Sequence, residues 1–355
     1  MSRQILVLGA NGFIGSHLVK KILSSTDWNV YGMDIHSHKL EDCIENSRFH
    51  FIEGDITVNE EWIASCISKC DTVLPLAAIA NPAIYLSDPI RVFELDFEAN
   101  LKIIRQCVNK KKRVIFPSTS EVYGISDGKP FDEDNSPCTV GPVQKQRWIY
   151  SCSKQLLDRI IYAYGVNDKL SFTIFRPFNW IGPKLDDICN LNIKTSRVVT
   201  RFISNVLYQN DIHLVNGGMQ RRSFTDIDDG IEALFSIILN KDGCAEGKIF
   251  NIGNPNNNTS IRELAVMILD IMKQIPSCRD KALNTKFIIE EGEKHYGQYY
   301  EDTNDRIPSI KKAHEILQWT PSISLQESLK KSVNYFVEKF NDLTDEVLPH
   351  SNLDN

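Results

Sequence analysis

Short apolar runs alternate with longer amphipathic segments through the first half of the chain, and this alternation restricts the possible folds most strongly. Strands are predicted at residues 5–8, 29–33, 49–52, 72–76, 113–116 and 171–175, and helices at 12–24, 60–68, 89–109 and 148–164. Strands that alternate with helices form βαβ units, whose parallel strands are buried on both faces. The first half therefore predicts an α/β fold with a doubly wound parallel sheet.

The regular alternation ends after Arg176-Pro177, where the loops become longer. Helices are predicted near residues 197–207, 226–240, 260–272, 309–317 and 325–340. We therefore expect a first domain at 1–178, to which part of 224–254 returns, and a smaller C-terminal lobe at 179–341. Residues 342–355 lack periodicity and are expected to form a flexible tail.

Composition excludes several classes of protein. A chain of 355 residues with 42% hydrophobic composition can bury a large core, and a net charge of −6 argues against nucleic acid as a partner. Nine cysteines without a Cys-x-x-Cys pair suit a reducing cytoplasm, and His36 and His38 lack ligand partners at metal-site spacing. No segment approaches the roughly 20 apolar residues of a membrane span. We expect a cytoplasmic protein without a metal and without membrane insertion.

A glycine-rich turn, Gly9-Ala10-Asn11-Gly12-Phe13-Ile14-Gly15, separates the first predicted strand from the first helix. Such a turn lets the backbone approach a pyrophosphate, which then lies at the helix N-terminus, as in Rossmann-like domains. Asp34, at the end of the second strand, is placed to bind the ribose hydroxyls of NAD and to repel the 2′-phosphate of NADP. Asp55 follows the third strand, where it can meet the adenine. The predicted NAD-binding residues are Gly9, Asn11, Gly12, Phe13, Ile14, Gly15, Asp34, Ile35, Asp55, Ile56, Tyr150 and Lys154.

Two further strings carry chemistry. Tyr150 and Lys154 are four residues apart and share one face of a helix, so the ammonium can favour the phenolate and make it a base near neutral pH. At the end of the fifth strand, Thr119 and Ser120 supply hydroxyls and Glu121 a carboxylate. This set can hold a sugar alcohol for oxidation and leave a carboxylate for a second step.

These residues together resemble the extended short-chain dehydrogenase/reductase family, over residues 5 to about 340. Within it, the chain is similar to the UDP-glucuronate decarboxylases, most closely to the C-terminal decarboxylase half of the bacterial bifunctional polymyxin-resistance enzymes. The similarity is carried by FPSTSEVYG at 116–124, RWIY at 147–150, RPFNW at 176–180 and FTDI at 224–227. Because the cofactor strand begins at the N-terminus, we expect no formyltransferase domain, and a place in lipid A modification follows only indirectly.

The resemblance implies an NAD-dependent oxidative decarboxylation. Tyr150 would take the proton of the sugar C4 hydroxyl, Thr119 would bind the same oxygen, and Lys154 would hold the nicotinamide ribose. Related dehydratases have an aspartate at the position of Ser120, and epimerases typically lack a carboxylate at the position of Glu121. Glu121 and Arg306 are expected to flank the departing carboxylate. The substrate-binding residues implied by the resemblance are Ala80, Tyr85, Thr119, Ser120, Arg147, Asn179, Arg197, His213, Arg222 and Tyr300.

Alternatives stay open at this point. A UDP-xylose synthase would share the oxidation and the decarboxylation but would then reduce the 4-ketopentose with the same NADH. A non-catalytic NAD-sensing module would be expected to have lost Glu121 or the Tyr150/Lys154 pair, and all three residues are present. Arg147 and Arg197 could each instead form a surface ion pair.

The sequence also predicts a homodimer. The helices at 89–109 and 148–164 carry apolar residues on more than one face, among them Val92, Phe93, Ile103, Ile104, Ile160 and Ile161. Helices that are apolar around much of their circumference need a partner beyond their own sheet. Since members of the family pair these helices as a four-helix bundle, we expect a two-fold dimer.

Overall fold

A parallel sheet of seven strands forms the centre of the protein, in a computed structural model that describes residues 2–186, 196–292 and 305–347. Its strand order is β11-β6-β5-β4-β1-β2-β3. The strands are β1 (Gln4–Leu8), β2 (Asn29–Asp34), β3 (Phe49–Glu53), β4 (Thr72–Pro75), β5 (Arg113–Pro117), β6 (Phe172–Pro177) and β11 (Lys248–Ile252). All six strands predicted in the first half are confirmed, each within two residues of its expected ends.

Both faces of the sheet are buried, as a doubly wound sheet requires. Within β1, Ile5 and Val7 pack into one core cluster while Leu6 and Leu8 pack into another. Successive side chains of a strand point to opposite faces, so this alternation assigns one cluster to each side of the sheet. The continuous apolar run that predicted the strand thus supplies both cores.

Helices follow the strands in the expected order. They are α1 (Phe13–Ser25), α2 (Glu60–Lys69), α3 (Pro82–Ser87), α4 (Pro89–Phe93), α5 (Asn100–Asn109) and α6 (Trp148–Asp168). The predicted helix at 89–109 is interrupted by a π-helical turn, Glu94–Ala99, which no hydrophobic pattern indicated. Short helix α3 was also missed, although Asn81 and Pro82 form a recognisable start: the Asn81 side chain accepts from the Ala83 N–H at 3.0 Å.

The remaining chain forms three two-stranded pairs and several helices, of which the helix Ile227–Leu239 packs against α1 beside the central sheet. Its strands pair as β7 (Trp180–Ile181) with β10 (Thr225–Asp226), β8 (Ile212–Val215) with β13 (Phe287–Glu290), and β9 (Arg221–Ser223) with β12 (Asn258–Ser260). Its helices are α7 (Val198–Leu207), α8 (Ile227–Leu239), α9 (Ile261–Met272), α10 (Arg279–Asn284), α11 (Lys311–Leu317) and α12 (Leu325–Val347). Strand β11 pairs with β6, so the chain does return to the central sheet. The division into two lobes at residue 178 stays a prediction.

Two expectations need correction. Helix α12 continues to Val347, so the first residues of the segment expected to be a flexible tail are helical, and residues 348–355 lie outside the described residues. Of the apolar residues that suggested a dimer, Val92, Ile103, Ile104 and Ile161 are buried within the chain itself. These four residues therefore need no partner subunit.

Across the parts of the chain that the structure describes, no helix is both long and apolar enough to cross a membrane. The same residues contain no group of three histidine, cysteine or acidic side chains that could hold a metal ion.

Candidate active site

A cavity of about 590 Å³ lies at the carboxyl ends of the central strands, where parallel α/β sheets bind their ligands. Leu76, Pro117 and Pro177, at or just beyond the ends of β4, β5 and β6, contribute to its wall. Many predicted site residues from distant parts of the sequence meet in its lining: Gly9, Gly12, Phe13, Ile14, Gly15, Ala80, Tyr85, Thr119, Ser120, Glu121, Tyr150, Asn179, Arg197 and Arg306.

The glycine turn fits closely between the first strand and the first helix. Gly9 has a φ of +91°, and a Cβ there would lie 2.6 Å from the backbone nitrogen of Ala77. A Cβ at Gly15 would collide with the carbonyl oxygen of Gly9. Helix α1 begins directly after Gly12, so the free N–H groups of its first turn border the cavity. The turn has the shape and the donors that a pyrophosphate requires.

Asp34 connects this turn to the end of β2. Its carboxylate accepts from the backbone N–H groups of Asn11 and Ile35, both at 2.8 Å. Burial raises the pKa of Asp34, and the backbone hydrogen bonds oppose that shift. The Asn11 side chain in turn accepts from the Lys39 N–H at 2.7 Å. Asp34 therefore both fixes the glycine turn and supplies a carboxylate beside it, where ribose hydroxyls would bind.

Other predicted cofactor residues lie outside the cavity lining. Asp55 is exposed and accepts from the backbone and hydroxyl of Thr57, each at 2.8 Å. Ile35 is exposed and Ile56 is buried. Their roles at the adenine end stay predictions.

Tyr150 and Lys154 lie on α6 and are both buried. The Tyr150 hydroxyl is hydrogen-bonded to Thr119, and its ring stacks on Tyr85 with centroids 4.7 Å apart. The Lys154 ammonium donates to the carbonyl of Pro117 at 3.1 Å, and burial lowers its pKa. Helix α6 thus places the Lys154 ammonium at the end of β5 and the Tyr150 phenol at Thr119.

The surroundings of Tyr150 affect its protonation. Burial raises the pKa of Tyr150 well above its usual value, and the charges of Asp96 and Glu121 raise it further. The expectation that Lys154 makes the phenolate available near neutral pH stays a prediction. A positive charge beside the phenol would favour its ionised form.

Glu121 is held between two arginines. It lies in a 3₁₀ turn, Ser120–Tyr123, that follows β5 and is capped by the Thr119 hydroxyl. One carboxylate oxygen accepts from Arg147 at 2.6 Å and the other from Arg306 at 2.9 Å. Burial raises the pKa of Glu121, but the two guanidinium groups outweigh this and lower it to about 2. Arg147 is buried, so the alternative that it forms a surface ion pair is wrong.

Arg306 reaches the cavity from a segment that is anchored to a distant loop. Backbone hydrogen bonds of 2.8 Å join Phe131 to Ile307 and to Ser309. The side chain of Asn251 donates to the Phe131 carbonyl at 2.9 Å and accepts from the Tyr123 hydroxyl at 2.7 Å. These bonds link the Arg306 segment to the turn that carries Glu121. Tyr300, expected on the same segment, lies outside the described residues.

The remaining predicted substrate residues have mixed positions. Asn179 lines the cavity in a left-handed conformation, with a φ of +40°, and donates to the Ser223 carbonyl at 3.0 Å. Arg197 also lines the cavity and pairs with Asp186 at 2.9 Å. Arg147, His213 and Arg222 lie outside the lining; the imidazole of His213 contacts Glu290 at 2.6 Å, and Arg222 donates to the Arg221 carbonyl at 2.7 Å.

Sequence reasoning missed several residues of the site. Lys39, Asn81, Trp180 and Asp186 line the cavity, and Asp96 interacts electrostatically with Tyr150. Trp180 was visible in the motif at 176–180 but received no role. Lys39, Asp96 and Asp186 have no motif or spacing that distinguishes them from surface charges.

The fold and the cavity are those of a dinucleotide-dependent enzyme of the short-chain dehydrogenase/reductase type. The family model described as "NAD dependent epimerase/dehydratase family" matches residues 5–253, and the chain belongs to this family, whose cofactor is NAD.

Solved structures agree with this assignment. PbgP3 from Burkholderia pseudomallei is 48% identical, with a TM-score of 0.87 over 96% of this chain and 98% of that one. The UDP-glucuronic acid 4-epimerase of Bacillus cereus, solved with UDP-glucuronic acid and NAD, is 24% identical with a TM-score of 0.77, covering 95% and 99% of the two chains. The dTDP-glucose 4,6-dehydratase of Bacillus anthracis, solved with NAD, is 19% identical with a TM-score of 0.76, covering 95% and 97%. The last two similarities show the fold alone.

Proposed function

We propose that the protein oxidises and decarboxylates UDP-glucuronate to a UDP-4-keto-pentose, with release of CO2 and NADH. The observation that carries this proposal is the buried carboxylate of Glu121 between Arg147 and Arg306, beside the hydroxyls of Thr119 and Ser120. Arg306 lines the cavity together with Thr119 and Ser120, and its positive charge attracts an anionic sugar. A neutral sugar would gain hydrogen bonds from this guanidinium but not the attraction between opposite charges.

Oxidation uses Tyr150 and Thr119. The glycine turn and the N-terminus of α1 would hold NAD, which would supply the hydride acceptor for C4 and a positive charge that favours the ionised form of Tyr150. The phenolate then takes the proton of the C4 hydroxyl while Thr119 bonds the same oxygen. Lys154, held by the Pro117 carbonyl, would contact the nicotinamide ribose.

Decarboxylation follows from the new ketone. A C4 ketone makes the C6 carboxylate a β-keto acid, so the C5–C6 bond breaks with its electrons passing into an enolate. Arg306 stabilises the negative charge, and Glu121 fixes the guanidinium by its 2.9 Å bond. A proton delivered through water then completes C5, because the guanidinium itself is a very weak acid. Ser120 lacks the acidity to expel a hydroxyl, which argues against dehydration.

A UDP-xylose synthase is the second candidate, since it shares both steps and differs only in reducing the ketone before release. Incubation with UDP-glucuronate and NAD, followed at 340 nm, separates the two. A rise in absorbance equivalent to the amount of product formed means that the ketone is released with NADH. Product without such a rise means that the same NADH has reduced the ketone. UDP-glucose, which lacks the carboxylate, is the matched control substrate. The absence of turnover of UDP-glucuronate would contradict the proposal.

We also propose that the protein forms a dimer through helices α4 to α6. Although several residues first cited are buried in the chain, Ile90, Leu156, Tyr162 and Val166 remain largely exposed on these helices. Exposed apolar side chains on neighbouring helices fit a two-fold helical interface. Light scattering at micromolar concentration should give twice the mass of 40.5 kDa, and a monomer would contradict the proposal.

A further inference from the structure

A second buried carboxylate, Asp96, lies in the π-helical turn that packs against α6. Its side chain is fully buried. One oxygen accepts from the Ile79 N–H at 2.8 Å, and the other has no hydrogen-bond partner among the described residues. Burial of an ionised carboxylate with an unpaired oxygen costs free energy of folding. A functional role for Asp96 would explain why it is buried.

The π-helical turn also shapes the cavity wall. Asn100, directly after the turn, donates to the carbonyl of Leu95 at 2.9 Å and to that of Ala77 at 3.3 Å. Together with the bond from Ile79 to Asp96, this holds both ends of the segment 77–79, which contributes Ala78 and Ile79 to the lining. π-helical turns are frequent at functional sites. The turn thus couples Asp96 to the geometry of the substrate cavity.

Asp96 acts on charges across the interface with α6 and α3. Its negative charge favours the ammonium form of Lys154 and raises the pKa of both Tyr150 and Tyr85.

Asp158 also favours the charged form of Lys154. That carboxylate, however, accepts two bonds from Arg176, at 2.9 and 3.3 Å, and one from Ser118 at 2.9 Å. Among the described residues, Asp96 accepts only from the backbone N–H of Ile79, so its charge is left to act on Lys154.

We propose that Asp96 is a positioning residue for the oxidation step: it holds the segment 77–79 against the cavity and places a buried carboxylate against the helix that carries Tyr150 and Lys154. This inference rests on the proposed function for its catalytic part. A purely structural role would not explain Asp96, because burial of its charge lowers the stability of the fold.

That cost has a definite pH dependence. Burial raises the pKa of Asp96 from 3.8 to about 6, and Lys154 offsets only part of the shift. As pH rises from 3.8, the unfolded chain loses this proton first, so stability falls until the pH has passed about 6 and is lower by a constant amount above it. Asp96→Asn retains an oxygen for the Ile79 N–H and removes the charge.

The first experiment measures thermal unfolding of the wild type and of Asp96→Asn between pH 5 and pH 8. We expect the variant to melt at a higher temperature at pH 8, with a difference that shrinks towards pH 5. The matched control is Asp158→Asn, which should melt lower at both pH values because it leaves the buried Arg176 without its carboxylate. An Asp96→Asn variant that is less stable than the wild type at pH 8 would overturn the inference.

The second experiment measures kcat/KM for UDP-glucuronate against pH. Without the negative charge, Tyr150 ionises and Lys154 loses its proton at lower pH. Both limbs of the profile should therefore move to lower pH, and kcat/KM at pH 8 should fall. If the pH profile of Asp96→Asn is the same as that of the wild type, Asp96 has only a structural role and the inference is wrong. If wild-type protein does not turn over UDP-glucuronate, the proposed function fails, and the melting comparison still decides the question of the buried charge.

Discussion

Glu121 and Asp96 are two buried carboxylates that act on the same tyrosine, yet their surroundings have opposite effects. Two arginines donate to Glu121 and bring its pKa to about 2, whereas burial leaves Asp96 with a pKa of about 6. Burial opposes the charged form of both groups, so the difference lies in the cations. Glu121 meets two guanidinium groups at hydrogen-bond distance, and Asp96 interacts with Lys154 only through its charge. Direct hydrogen bonds from cations decide whether a buried carboxylate stabilises the fold or costs stability.

The largest effect is expected at Tyr150, on which both carboxylates act. Tyr150→Phe should abolish NADH formation while UDP-glucuronate binding changes little, because only one hydroxyl is removed. Absorbance at 340 nm and calorimetric binding measure the two properties. Near-normal turnover would show that another group takes the C4 proton. The effects of Glu121 and Asp96 on Tyr150 would then have no consequence for catalysis.

Arg306 tests the Glu121 side of the comparison. Arg306→Met should lower CO2 release by orders of magnitude while NAD affinity and the far-UV circular dichroism spectrum stay unchanged. The exposed Arg279, changed to Met in the same way, serves as the control and should behave as wild type. Wild-type turnover of Arg306→Met would assign the Arg306 segment a purely structural role.

Glu121→Gln sharpens the contrast in stability. The folded pKa of Glu121 lies below its ordinary 4.5, so its contribution is present above that pH and is lost as pH falls towards 2. This shift corresponds to about 3 kcal/mol of unfolding free energy at pH 7. Urea unfolding should show that loss for Glu121→Gln and a gain for Asp96→Asn at pH 8. Equal effects of the same sign would contradict the comparison.

The smallest effect is expected at Asp34, which lies at the end of β2 beside the glycine turn. Asp34→Ala should weaken NAD binding about tenfold, roughly the equivalent of one hydrogen bond to a charged group, and reduce the preference for NAD over NADP. Steady-state kinetics with both cofactors measures this preference. A wild-type protein that uses NAD and NADP equally well would refute the role of Asp34.

The fold could be predicted because the information is local. Buried parallel strands appear as apolar runs, and each of the first six strands was located from such a run. The glycine turn and the Tyr150/Lys154 pair could be found for the same reason, since a few consecutive residues or one helical turn contain the whole pattern. Their place in the cavity follows from the carboxyl ends of the strands.

The charge network could not be predicted in this way. Glu121 and Arg306 are separated by 185 residues, and only the family resemblance suggested that they act together. Asp96 lies within a helical pattern that the π-helical turn does not alter, so its burial is a consequence of tertiary packing. The pKa of Tyr150 depends on both carboxylates, which the spacing between Tyr150 and Lys154 does not reveal.

The central claim is that the arginines around Glu121 serve the loss of a carboxylate. Its most direct test uses UDP-glucuronate labelled with ¹³C at C6, incubated with the protein and NAD, and compares labelled CO2 with the pentose product. The account predicts one labelled CO2 for each substrate consumed. A labelled carboxylate that stays on the sugar, as a 4-epimer or as an oxidised hexuronate, would contradict it.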